Sequence, residues 1–321
     1  MNIRLLAIVG LAAAGCGGSS VSADKACTEE VDARCAQLSL CSNGALLTTR
    51  YGDQTTCQAR EKAACLNRLL VMGTTATPAF EETCATALPS ASCVELLDDQ
   101  PITQCIAPLG AATDGALCVA NGQCMSGYCN LGAHTVCGTC GAPGNAGDSC
   151  DAATCARGLI CFGATPVCVM PGAMSAACDA KDPCQADLVC VGANAKMMKM
   201  GTCQTAVAAA GMPCDPLSQT APACARGRGL TCDPTAKTCV AINYAAAGAA
   251  CGTVAGLFVG CNAGGGCYPV GGTTQTCAAA AADGAACDTV AGPGCLTPAK
   301  CVTTGSATAG TCQLPTPTTC M

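Results

Sequence analysis

The sequence predicts small disulfide-rich modules, short β-ribbons and loops in tandem, preceded by a short all-α domain stapled by disulfides. Three observations predict this. The chain has 321 residues and 35 cysteines, a density found where cross-links stand in for a core. It has no Trp, three Phe and four Tyr. Ala and Cys supply much of its apolar content, and such small side chains bury little area. After residue 112 a four-cysteine pattern recurs six times in one order. A chain with so little to bury needs covalent staples, each contributing about 2–4 kcal/mol.

The first element is an export signal. MNIRLLAIVGLAAAGCGGSS carries one Arg, an apolar run and then small residues. The run is too short to span a bilayer. "AAGC" at 13–16 resembles a bacterial lipobox with Cys16 as the acylated residue, Ala13 standing where Leu or Val is usual. Residues 1–15 are then the signal peptide and 16–26 a linker. Cleavage after Ala23 is the alternative. Gly17 after the cysteine resembles lipoproteins sent to the outer membrane of Gram-negative cells. The expected location is extracytoplasmic, as an outer-membrane or cell-surface lipoprotein or as a secreted protein. Any membrane contact comes through a lipid on Cys16. Either route removes Cys16 and leaves an even number of cysteines, as complete pairing requires.

Residues 27–112 form the helical eight-cysteine domain. Its cysteines are Cys27, Cys35, Cys41, Cys57, Cys65, Cys84, Cys93 and Cys105. About four short helices are expected. One ends near Asn43-Gly44. One starts with Thr55 and Gln58 at capping-box spacing and stops at Gly73. Thr77 is an N-cap with Pro78 behind it, and Ser92 with Glu95 forms another capping box. Cys57 and Cys65 lie on one helix face but cannot reach each other, so their partners belong to neighbouring helices.

The repeats follow. The first runs Cys118, Cys124, Cys129, Cys137 and the second Cys150, Cys155, Cys161, Cys168. The third is Cys178, Cys184, Cys190, Cys203 and the fourth Cys214, Cys224, Cys232, Cys239. The fifth is Cys251, Cys261, Cys267, Cys277 and the sixth Cys287, Cys295, Cys301, Cys312. Cys140 and Cys320 stand outside this scheme. Each unit is expected to be two short strands held by two bridges. Four cysteines allow three pairings, so connectivity stays open. Small inter-unit contacts are expected, leaving semi-independent beads. The loop ANAKMMKMG at 193–201 reads as an exposed insertion or a sticky binding loop.

Cys137 and Cys140 form the chain's one Cys-x-x-Cys, beside its sole histidine, His134. A zinc site needs four ligands, and a redox pair needs a helix N-terminus; the flanks LGAHTV and GAPGNAGDS are loops. Structural disulfides are the expected role, with His134 an exposed loop residue and no metal or cofactor.

Residues 118–168 carry a resemblance. The segment C-x5-C-x3-YC-x7-C-x2-C, with Tyr128 before Cys129, resembles the N-terminal cysteine-rich domain of Dickkopf proteins over about a sixth of the chain. Residues 113–170 are assigned to this Dickkopf-like unit and 171–321 to further four-cysteine repeats. Ala156 stands where that family has another cysteine. The resemblance therefore implies that one cysteine pairs outside the segment, and Cys320 is a candidate. In animals the family binds extracellular receptors of Wnt signalling; a bacterial export signal argues against that role here. The layout, with RYGDQTTC, CMSGYC and CGTC, also resembles Dickkopf-like cysteine-rich lipoproteins of myxobacteria, which implies an exported protein and brings no activity.

An enzyme is not expected. The lone histidine has no triad-like context, GNAGDS and NAGGGC lack a following P-loop Lys-Ser/Thr, and DAKDP lacks the ligands of an EF-hand. Asp98-Asp99 reads as a solvated helix end. A net charge of −6 without a basic run argues against nucleic acid. The expected role is a binding or adhesion module for an extracellular protein or glycan. A structural envelope or stalk protein, or a knotted protease inhibitor, is the alternative.

Overall fold

The structure, a computed structural model, describes residues 21–320 apart from 99, 152, 164, 270–274 and 319. Cys16 and the export signal lie outside the described residues. Helices form a central hub, and six disulfide-rich units surround it.

Five α-helices build the hub, one more than expected, and two are long. Helix α1 (Ala23–Ser42) is capped by Ser22, whose Oγ accepts from the Lys25 N–H, and ends at left-handed Asn43. Helix α2 (Ala45–Arg50) is the additional one. Helix α3 (Gln54–Leu70) starts at Asp53, whose carboxylate accepts from the Thr56 N–H at 2.7 Å. The expected Thr55–Gln58 box is therefore not the cap; an acid two residues earlier takes the orphan donor. Helix α4 (Pro78–Ala87) is capped by Thr77. Helix α5 (Cys93–Leu97) carries the Ser92–Glu95 capping box.

Two rungs join α1 to α3, Cys27–Cys65 and Cys35–Cys57. The cysteines are eight apart on each helix, so both pairs face each other across an antiparallel seam. Cys41–Cys93 and Cys84–Cys105 secure α5 and the segment after it. Val31, Leu38, Leu47 and Tyr51 pack with the seam cysteines as the hub core. The Tyr51 hydroxyl donates to Glu61 at 2.6 Å.

All six units share one plan. The first cysteine bonds the third and the second bonds the fourth, as in Cys150–Cys161 and Cys155–Cys168. Strands 160–162 and 167–169 pair antiparallel in that unit, and the other units contain similar ribbons. A residue three before the first cysteine donates its N–H to the carbonyl of the fourth in every unit. Gly115 to Cys140 and Ser175 to Cys203 are examples, each at 2.8 Å. This residue has positive φ throughout: Gly115, Gly147, Gly211, Gly248, Gly284 and, alone without glycine, Ser175 at φ 67.

That exception yields a test. A left-handed residue with a Cβ costs about 1–2 kcal/mol, more than the roughly 0.4–1 kcal/mol of unfolded-state entropy that glycine adds. Ser175→Gly is expected to stabilise the oxidised protein modestly. Gly115→Ala, with nothing within 4 Å of its new Cβ, is expected to destabilise by the same difference, about 0.5–1.5 kcal/mol. Guanidinium denaturation of both variants checks the opposite signs.

In the first unit the fourth cysteine is Cys140, not Cys137 as the sequence reading placed it. Cys140 bonds Cys124 and lies opposite Cys129 in the ladder. A side chain at Gly138 would strike the Asn130 carbonyl, so glycine is needed for this register. Cys137 is left over and bonds Cys320 across 183 residues.

The units are not independent beads. Thr154 donates from its N–H to Asn130 Oδ1 and from its hydroxyl to the Cys129 carbonyl, both at 3.1 Å, joining the first two units. The residues after α5 hold the second and third: Gln100 donates to the Gly158 carbonyl, and Asp98 accepts from the Ala186 N–H at 2.7 Å. Asp98 is thus 7% exposed, correcting its reading as a solvated helix end. Arg228 grips Asp187 with two bonds between the third and fourth units. Arg226 lies over the Phe258 ring between the fourth and fifth. Tyr268 of the fifth fills the space beside Gly292 of the sixth. The sixth then meets the first: Lys300 donates to the Gly132 carbonyl at 3.1 Å, and the Thr303 N–H donates to the carbonyl of His134 at 3.3 Å.

These contacts close a ring, and the hub fills it. The Thr75 N–H donates to the Gly122 carbonyl, and the N–H groups of Ala263 and Gly264 donate to Thr48 and Thr49. Arg60 grips Asp283 with both terminal nitrogens and also donates to the carbonyls of Leu296 and Thr297. No described helix is long and apolar enough to cross a membrane. Seventeen disulfides among the described residues belong to an oxidising, extracytoplasmic environment.

Candidate binding cleft

Cysteine chemistry does not define a site here. Every cysteine from Cys27 to Cys320 is in a disulfide. Cys137 and Cys140 have separate partners, so the Cys-x-x-Cys is not a redox pair closed on itself. Sulfur atoms that cluster within 4.8 Å in the first five units belong to the paired first-to-third and second-to-fourth bridges. His134 is exposed, and its backbone carbonyl serves the ring closure.

The loops between cysteines are ordered by their own acids. Asp215, directly after Cys214, accepts from the N–H groups of Thr220 and Leu217 at 2.9 and 3.0 Å, and from Gln219. These bonds push its pKa down to about 2. A carboxyl depressed on folding adds stability above its unfolded pKa, near 4, and loses it as pH falls through about 2. Amide protection at 217–220, referenced to the intrinsic exchange rate at each pH, is therefore expected to hold at pH 4 and to fall on acidification toward pH 2. Asp215→Asn should weaken that pH response. Asp179 and Asp288 also hold turns and are also lowered by backbone N–H groups, from Lys181 and Ala291 first.

The loop at 193–201 is a built tip. Asn194 and Lys199 exchange backbone hydrogen bonds at 2.8 and 3.0 Å. The Asn194 side chain accepts from the Met197 N–H. Met198, 93% exposed, is held outward at φ 48.

The clearest concave site lies where the hub meets the first two units. One lobe, about 360 Å³, is lined by Arg34 of α1, Arg68 of α3, Phe80 and Glu81 of α4, Ile106 and Arg157. A second, about 500 Å³, is lined by Tyr128, Ala153, Thr154, Leu159 and Arg157. Asn121, Leu131 and Arg157 border both. A shallower depression of about 540 Å³ runs over Thr83, Thr86 and Ser90. It gathers no cations, so the two-lobed cleft is the better candidate.

Each cleft arginine is held differently. Arg34 Nε donates to Glu30 at 2.7 Å. Arg68 grips Glu81 with Nε and a terminal nitrogen at 3.1 and 2.9 Å. Glu30 and Glu81 are 2% and 1% exposed. Burial lowers the pKa of Arg34, but Glu30, then Glu61 and Glu81, outweigh it and the net shift is upward. Arg157 instead lies over the Tyr128 ring, 4.8 Å from its centroid. Its backbone N–H donates to the Tyr128 hydroxyl at 3.2 Å. It forms no ion pair among the described residues.

None of these arginines was marked by the sequence. They come from three distant segments, and no local spacing joins them. Tyr128 was noted only for the Tyr-Cys step. No family model, curated protein or solved structure matches this chain.

Proposed function

We propose that this is an exported bacterial cysteine-rich surface protein that binds a partner and carries out no catalysis. The observation that supports it is the preorganised cleft. Cross-linked hub and ring hold three arginines at a hollow, and one of the three forms no ion pair among the described residues. Rigid walls lower the entropic cost of binding. Such a rim suits an extracellular protein or glycan partner. In this reading Cys16 is acylated and tethers the ring to the outer membrane or cell surface. The likeness to the Dickkopf cysteine-rich domain, and to the myxobacterial lipoproteins, is taken as one of scaffold only. A stalk is the weaker reading, because a closed ring gives up the length that a string of units offers.

Two measurements test this. The intact mass of protein extracted from native membranes should show an N-terminal acylated Cys16. A soluble chain beginning at Asp24 would instead indicate cleavage after Ala23. Labelled protein should also bind isolated envelope material saturably. Ala153→Trp, which fills the second lobe, should abolish that binding while leaving the fold intact. Equal binding by this variant would remove the cleft from the account.

A further inference from the structure

We infer that the cleft recognises a single carboxylate carried on an apolar body. The inference rests on the binding reading above and names its ligand class. Arg157 carries the argument. The residue lines both lobes, and its guanidinium lies over the Tyr128 ring, 4.8 Å from the centroid. Stacking fixes the plane of the group and leaves its N–H edge for a ligand. Arg34 and Arg68 cannot supply the missing anion's charge balance, because Glu30 and Glu81 already neutralise them. Those glutamates are buried and tied, so neither can swing out to Arg157.

The charge count limits the ligand. Arg34 and Arg68 face glutamates, with Glu61 also acting on Arg34, and Arg157 is the cleft arginine that forms no ion pair among the described residues, in a chain of net charge −6. A polyanion would gain little here and would meet a surface of its own sign. One carboxylate fits, since the guanidinium fork accepts it through two parallel N–H bonds. Arg34 and Arg68 retain N–H groups beyond those used on their glutamates, and these can complete the anion's shell. The second lobe offers Leu131, Leu159, Ala153 and the Tyr128 ring. An aliphatic or aromatic group beside the carboxylate matches that lining. At about 360 and 500 Å³ the lobes suit a ligand of a few residues or a small organic acid.

That chemistry has two sources, an apolar-ended peptide C-terminus and a free organic acid. The probes separate them: acetyl-Ala-Ala-Phe as free acid, the same peptide as carboxamide, and 3-phenylpropanoate. Calorimetry on the full-length oxidised protein should show saturable binding of at least one acid. The carboxamide should bind at least about tenfold more weakly than the peptide acid if the peptide is the form bound. Arg157→Gln should cost the acids at least roughly tenfold and erase the acid–amide difference. Arg157→Lys, which keeps charge but not the planar fork, should recover only part. The flanking disulfides are expected to persist in both variants, and non-reducing peptide mapping verifies this. Equal binding of peptide acid and amide, or an acid preference that survives Arg157→Gln, overturns the inference. If no probe binds while envelope binding persists, the ligand class falls and the binding reading stands. If envelope binding also fails, both fall.

Discussion

Complete reduction is expected to unfold the protein at room temperature. The reason lies in what is buried. The core of the first unit is Cys118, Cys124, Cys129 and Cys140, joined only by Ala112 and Leu131 at its edge. The fifth is Cys251, Cys261 and Cys277. The disulfides are therefore both the staples and the packing. A module of roughly 30 residues lies below the size that folds on apolar burial alone, and ordering each residue costs about 1–2 kcal/mol of backbone entropy. The hub does not escape. Its four bridges, at about 2–4 kcal/mol each, match the whole stability of an ordinary domain, roughly 5–15 kcal/mol. Circular dichroism in dithiothreitol should lose both the ribbon and the helical signal at 25 °C. The oxidised protein should keep both beyond the roughly 45–65 °C at which mesophilic domains melt. An unchanged spectrum and melt after full reduction would contradict this.

Arg68→Ala is expected to be strongly destabilising although it spares the cysteines. Glu81 is 1% exposed, and both its oxygens are engaged by Arg68. Removing the guanidinium leaves a carboxylate without solvent or its bidentate partner, and breaking a buried pair in this way costs about 3–5 kcal/mol. Arg68 is itself 37% exposed at its side chain, and Arg34 stands near Glu81, so about 2–4 kcal/mol is the expected loss. Guanidinium unfolding of the oxidised variant measures it. The double variant Arg68→Met/Glu81→Gln should recover much of the loss, because it leaves no lone charge. A loss below about 1 kcal/mol for Arg68→Ala would place the pair among ordinary surface ion pairs.

What the sequence disclosed was local. Thr77 with Pro78, Ser92 with Glu95 and the Asn43-Gly44 stop are short-range backbone chemistry, and the structure uses each. The α3 start was misplaced because Asp53 and Thr55 both precede the same apolar pattern. The helical seam was half visible. The spacing of Cys57 and Cys65 defined a face, and the equal spacing of Cys27 and Cys35 was the unused clue to their partners. The fourth cysteine of the first unit also left a trace. Gly-Thr-Cys occurs at 138–140, 201–203 and 310–312, each time on the strand central to a three-stranded ribbon.

The ring was legible only at its clasp: the resemblance made Cys320 a candidate partner for a cysteine of the 118–168 segment, and Cys320 bonds Cys137. Its other contacts are single ones between residues far apart in the chain, such as Lys300 with Gly132 where the sixth unit meets the first, and Arg60 with Asp283 where the sixth meets the hub. The few aromatics misled in the same way. Tyr51 joins the hub core, while Tyr128, Phe258 and Tyr268 each lie where one unit meets the next. The cleft inherits this non-locality, since Arg34, Arg68 and Arg157 meet only when the first two units dock on the hub.

Peptide mapping of the native protein, digested without reduction and read by mass spectrometry, tests the closed cross-linked ring most directly. Cys137 should be recovered bonded to Cys320, and each unit should give first-to-third and second-to-fourth pairs. Recovery of Cys320 as a free thiol, or of Cys137 bonded to Cys140, would leave the ring without its covalent clasp and contradict the account.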